Sequence, residues 1–280
     1  MKTKYLLHLM CASLALTASA EVQTLITEDF GGVFADDLNG STADVFSSDI
    51  TTAGGSSTWS ASTEFQQDGT VDNWGSHGSA FLSLGSYVNA LKGDASAIFT
   101  LKLDVTLVDG GNGITSSDFI SLGFYEPGIA TGDAFYSQNE GVGTVVFREG
   151  GGSTNNDFFG SNGATTGVNV GDFSGVNVTH TLALVLDLTT HNGVSDFGSI
   201  SLYVDGVLQT YNGGADTSIS FLADEDFAYL GFSNANNGGG IVDNFGFYLG
   251  DAVTVPEPGT YALIAGALGL VFVALRRRAV

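Results

Sequence analysis

Carboxylates dominate the chemistry open to this sequence. Its 280 residues hold 30 Asp and Glu against 8 Lys and Arg, with 4 His and 1 Cys. The densest acidic run is Asp224-Glu225-Asp226, in a loop before Phe227. Hard cations take clustered carboxylates and carbonyls, which makes Asp224 and Asp226 the candidate calcium ligands. No complete D-x-[DN]-x-[DN]-G-x5-E calcium loop surrounds them, and Asp37-Leu-Asn-Gly40 matches it only as a fragment. A solvated acidic loop is the competing reading of the same run. The remaining polar groups suit carbohydrate, because aromatic faces stack on sugars while Asn and Asp reach hydroxyls. Trp59 and Trp74 lie in polar surroundings, and Asn234, Asn236 and Asn237 form a second polar group. Trp74, Asn234 and Asn236 are therefore the candidate glycan contacts, against the alternative that both tryptophans pack under loops.

Other chemistries lack their residues. His77, His180 and His191 show no H-x-H or H-x-x-x-H spacing, so a zinc centre is not expected. There is no G-x-S-x-G nucleophile elbow and no P-loop. Gly150-Gly151-Gly152 and Gly238-Gly239-Gly240 do not open onto a helix, which a phosphate cradle needs. Glycoside hydrolysis on a β-sandwich needs two carboxylates about 5–9 Å apart. Positions i and i+2 of a strand give about 6.5–7 Å, yet no Glu-x-Asp-x-x-Glu strand is present. The expected catalytic set is none, and the chain is read as a non-enzyme.

The elements that must position these residues follow a period of two. Phe99, Leu101, Leu103, Val105 and Leu107 alternate with Thr100, Lys102, Asp104 and Thr106. His180, Leu182, Leu184, Leu186 and Leu188 repeat the pattern, as do Ile200, Leu202 and Val204. Ile241, Asp243, Phe245, Phe247 and Leu249 are read as one face of a last strand, opposite Val242, Asn244, Gly246 and Tyr248. Further strands are expected at 22–26, 80–84, 119–125, 144–148, 219–222 and 228–232, about ten in all, with one apolar face each. Asn-Gly and Asp-Gly pairs punctuate them. Asp205-Gly206, between 200–204 and 207–211, predicts a two-residue hairpin. No helix of three turns is expected, and 148–167 reads as a long surface loop.

These features give an all-β fold, a single antiparallel β-sandwich over residues 21–253. Gly198–Leu208 with its Asp-Gly turn, then Tyr229-Leu-Gly-Phe232 and Ile241–Tyr248, resembles the C-terminal half of concanavalin A-like and laminin-G-like jelly rolls. The domain keeps all but one of the acids and only three basic residues, Lys92, Lys102 and Arg148. Such a charge repels phosphate backbones, so nucleic acid is excluded as a partner, and it attracts cations.

The two ends lie outside the sandwich. Residues 1–20 read as a signal peptide: Lys2 and Lys4, an apolar run from Tyr5 to Ala15, and Ala18-Ser19-Ala20 as the cleavage site. Cys11 falls in the removed segment, and His8-Leu9-Met10 lacks the small residues of a lipoprotein site. Residues 254–280 form the other end. Tyr261–Leu275 is an uncharged, mostly apolar run closed by Arg276, Arg277 and Arg278, which act as a stop-transfer and stay cytoplasmic. As a helix the run covers about 22 Å, so spanning a ~30 Å core needs its flanks and arginine snorkelling. Pro256, Glu257 and Pro258 precede it as a stiff spacer. Pro-Glu-Pro, a short apolar helix and a basic tip together resemble the PEP-CTERM sorting domain. That resemblance implies an exported envelope protein, anchored transiently in the inner membrane, cut by an exosortase-type enzyme and associated with exopolysaccharide. No cofactor is expected beyond calcium. The favoured reading is a non-enzymatic surface or matrix protein, followed by a calcium-assisted lectin-like module and then a polysaccharide-degrading enzyme.

Overall fold

The computed structural model describes residues 22–253, apart from 73–76, 109–117, 133–140, 149–156, 160–167, 170–176, 192–197, 221–224 and 236–238. Residues 1–20, read as a signal peptide, and the tail from 254 onward lie outside the described residues.

Alternating segments pair into two antiparallel sheets. In chain order the strands are β1 (Gln23–Glu28), β2 (Val45–Phe46), β3 (Ser56–Ala61), β4 (Thr70–Val71), β5 (Gly78–Ser83), β6 (Ile98–Leu107), β7 (Phe119–Tyr125) and β8 (Gly141–Arg148). They continue with β9 (Asp157–Phe159), β10 (Val168–Asn169), β11 (Thr179–Asp187), β12 (Ser199–Val204), β13 (Val207–Leu208), β14 (Ile219–Ser220), β15 (Tyr229–Ala235) and β16 (Gly240–Leu249). One sheet has nine strands in the order β13-β12-β11-β6-β16-β1-β2, with β14 on β12 and β4 on β16. The other has seven, β10-β9-β8-β7-β15-β5-β3. Among the described residues the α-helices are single turns, α1 (Ser48–Thr52) and α2 (Tyr87–Ala90).

The inward faces meet as a sandwich. Phe99, Leu101, Leu103, Val105 and Leu107 of β6 are all buried, as are Leu182, Leu184 and Leu186 of β11. Rings interlock between the sheets. Phe124 of β7 lies 6.0 Å from Phe247 of β16, and Trp59 of β3 meets Phe245 of β16 edge-on at 5.2 Å. Each buried Leu or Phe contributes about 1.5–3 kcal/mol relative to exposure. The fold is the expected all-β antiparallel sandwich.

Several local expectations change. The alternation along β16 breaks, because the pairing with β6 shifts register between Asp243 and Gly246. Asn244 at the bulge has φ +49. Val242 therefore points inward at 1% exposure, and Ile241 points out at 47%. An extra residue on one strand inverts every position before it. The 148–167 stretch is not all loop: β9 lies within it, and Phe158 is fully buried. Polar, glycine-rich flanks conceal a three-residue strand whose middle ring enters the core. Strand β3 was not among the expected strands; its Ser and Thr-rich sequence hides Trp59. The strand expected at 219–222 is Ile219–Ser220, with 221–222 outside the described residues. Asp205 and Gly206 form the expected hairpin, with φ +52 and +75, as two successive left-handed residues require.

Candidate functional site

The residues that converge are Glu28, Asp29 and Asp44. Strand β1 ends at Glu28, whose side chain shares the inward phase of Ile26 and is 8% exposed. Glu28 Oε2 accepts from Trp59 Nε1 at 3.2 Å, and Oε1 accepts from the Phe30 backbone N–H at 3.1 Å. After β1 the chain turns sharply. Phe30 takes φ +48 and sends its ring into the core, 5.8 Å from Phe232. Gly32 lies against Gln67 so closely that a Cβ would overlap it. Asp29 N donates to Asp44 Oδ2 at 2.9 Å, and Gly31 N donates to Asp29 Oδ1 at 3.0 Å.

Carboxylate oxygens of Glu28, Asp29 and Asp44 lie within 4.8 Å of one another. They open onto a cavity of about 390 Å³, also lined by Ser41, Thr42 and Gln67. Burial pushes the Glu28 carboxyl above its ordinary range, and Asp44 and Asp29 push it further. The Trp59 and Phe30 N–H groups pull the other way. Three carboxylates this close favour a proton or a cation between them. The donor set, carboxylates with hydroxyls nearby, fits calcium, which takes six to eight oxygens at about 2.3–2.6 Å. Val33 and Phe34, at 67% and 64% exposure, stand in the loop bordering this cavity.

Of the sequence-predicted calcium ligands, the structure describes Asp226. Asp226 Oδ1 accepts from Asn89 Nδ2, and Asp226 N donates to Glu126 Oε1 at 3.3 Å, so it is tied to α2 and to the end of β7. Asp224, Trp74 and Asn236 lie outside the described residues. Asn234 is not on an open rim: it is fully buried on the core side of β15, and its Nδ2 donates to the Asp72 carbonyl at 3.3 Å. Trp59 is not a loop platform either, being 1% exposed with its ring among Phe30, Phe232 and Phe245. His180 Nδ1 lies 2.7 Å from Asp205 Oδ2 at the hairpin, a structural pairing. The acidic cavity escaped sequence reasoning because Asp44 is 15 residues from Asp29. A signal was present nonetheless, in a glutamate at an inward position of a strand.

Among the described residues no helix is long and apolar enough to cross a membrane. Ala18, Ala20, Tyr261–Leu275 and Arg276, Arg277 and Arg278 lie outside them.

Several solved structures are similar to this chain at low identity. The carbohydrate recognition domain of Emp46p, in its metal-free form, is 13% identical, with 69% of this chain and 88% of that one covered and a TM-score of 0.41. The exoplasmic/lumenal domain of VIP36, bound to Ca2+ and Man3GlcNAc, is 11% identical, with 71% and 89% covered and a TM-score of 0.43. Domain 4 of AbnA, a GH43 extracellular arabinanase from Geobacillus stearothermophilus in complex with arabinotriose, is 13% identical, with 82% and 94% covered and a TM-score of 0.38. No curated protein sequence matches this chain. Residues 254–278 match the PEP-CTERM protein-sorting motif, so the tail of this chain carries that motif.

Proposed function

We propose that this is an exported protein sorted through its tail, whose β-sandwich serves the cell surface or extracellular matrix without catalysis. The match at residues 254–278 carries the reading. In it, the signal segment directs export, and the apolar run 261–275 holds the chain in the inner membrane with Arg276, Arg277 and Arg278 on the cytoplasmic side. An exosortase-type enzyme then recognises Pro256-Glu257-Pro258 and releases the domain to its place beside extracellular polysaccharide. The non-catalytic role draws support from the sequence, which has no Glu-x-Asp-x-x-Glu strand to place two carboxylates across a sugar.

The test is processing in cells. Pro256→Ala with Pro258→Ala should retain the chain at the membrane with its tail intact, by fractionation and C-terminal mass. Unchanged retention and mass would sink the sorting reading.

One observation favours a second reading, a calcium-assisted glycan-binding module. The acidic cavity is the right size for a small polar ligand; Ser41 and Thr42 line it, and the exposed Phe34 follows its Gly31-Gly32 wall in sequence. Polysaccharide pull-down that requires calcium and is lost in Phe34→Ala would place this reading first.

A further inference from the structure

A second group of oxygens converges just beyond the end of β3. Strand β15 pairs with β5, and Asn234 sits directly opposite Gly78. Ser62 follows β3 and is fixed by its N–H to the Ser79 carbonyl at 2.9 Å. Glu64 lies two residues on, its carbonyl accepting from Asp72 N at 2.8 Å. Three side-chain oxygens result: Ser62 Oγ, Glu64 Oε2 and Asn234 Oδ1. All lie within 3.2 Å of the position a Cβ on Gly78 would occupy. Glycine is required there, since any side chain would overlap the group.

The polarity of this group is unbalanced. Asn234 is fully buried, and the Asp72 carbonyl fixes its amide with Nδ2 on one side and Oδ1 on the other. Turning the amide would set two carbonyl oxygens against each other. Oδ1 must therefore face Ser62 and Glu64, and it accepts no hydrogen bond from any described residue. Burying a carbonyl without a donor is unfavourable, because its lost hydration is not replaced. Here it looks toward Ser62 Oγ and Glu64 Oε2. A hard cation satisfies the Asn234 carbonyl and takes those two oxygens as further ligands. Carboxylate, amide carbonyl and hydroxyl are oxygen ligands of the kind calcium takes, with water completing the shell. The acidity of the domain raises the local concentration of divalent ions.

We infer that Ser62, Glu64 and Asn234 form a calcium site over Gly78, pinning the β3 end to β5 and β15. The inference stands on this geometry and is independent of the sorting reading and of the Glu28 cavity.

Calcium titration of the full-length chain in detergent, by calorimetry, tests it. Glu64→Gln should weaken one calcium-binding event at least tenfold. Ser62→Ala should weaken the same event less. Asp29→Asn with Asp44→Asn should leave that event untouched. In chelator, Glu64→Gln should melt no lower than the unsubstituted chain, because the new amide N–H2 can donate to Asn234 Oδ1; this separates loss of a ligand from loss of the fold. If Glu64→Gln and the unsubstituted chain titrate identically, the site does not bind calcium. The sorting reading would be unaffected, since its own test is tail processing.

Discussion

Trp59 on β3 donates its indole N–H to Glu28 on β1 at 3.2 Å, a buried hydrogen bond that ties the seven-stranded sheet to the nine-stranded one at the wall of the acidic cavity. The pair has two consequences. It removes Trp59 from any role as a sugar platform, and it holds a carboxylate inside the protein.

Replacing Trp59 with Phe keeps a ring against Phe232 and Phe245 but removes the donor. A hydrogen bond to a charged group is worth about 1.5–3 kcal/mol, so the variant should lose at least that much stability. Urea unfolding reads it as a lower midpoint. An unchanged midpoint would mean that the bond contributes nothing.

The raised Glu28 carboxyl makes stability depend on pH in a definite direction. A carboxyl that is harder to ionise when folded favours the folded state while protonated. Its contribution is full below the ordinary carboxylate pKa and is lost as pH rises through the folded value. Compared with Glu28→Gln in chelator, the unsubstituted chain should therefore gain stability as pH falls from neutral toward the carboxylate range. Melting temperatures of both chains at several pH values measure this. A difference that stays constant with pH, or that grows in the opposite sense, contradicts the assignment.

Calcium should act on Asp29 and Asp44. If their cluster with Glu28 holds an ion, calcium at ~100 times its Kd raises stability by about 2.7 kcal/mol. Asp29→Asn with Asp44→Asn should abolish that rise at this site and, in chelator, melt higher than the unsubstituted chain because the carboxylates no longer repel. Equal calcium responses in both chains would leave the cluster as a bare acidic cavity.

At the β12–β13 hairpin, Asp205 has φ +52, accepts from Thr181 N at 2.9 Å and pairs with His180. Asp205→Asn tolerates the left-handed backbone and should cost less than about 1 kcal/mol. Asp205→Ala loses both side-chain partners and adds backbone strain, together about 2 kcal/mol or more. Equal losses in the two variants would show that the backbone angle is immaterial.

Much of the fold was legible because period-two alternation follows directly from strand geometry. β6, β11 and β12 bury the residues their spacing assigns, and β7 begins and ends where the run of apolar residues does. The tail was legible for another reason. Sorting signals are read as linear patterns, so Pro256-Glu257-Pro258, the apolar run and the arginines carry their meaning without a fold.

The sites required the tertiary structure. Asp226 stands in the densest acidic run, and only the fold shows that its Oδ1 accepts from Asn89 and its backbone N–H reaches Glu126. Glu28, Asp29 and Asp44 are separated by a loop, and only the pairing of β1 with β2 and the turn at Phe30 bring them together. Asn234 and Gly78 face each other across 156 positions of sequence only because β15 pairs with β5. Even alternation failed where one residue was inserted: the bulge at Asn244 turned Ile241 outward and Val242 inward. Local periodicity thus determined most of the long strands, and a linear pattern marked the sorting tail. Which carboxylates meet, and which are buried, was decided by register and sheet order, because those depend on contacts between residues that the sequence keeps far apart.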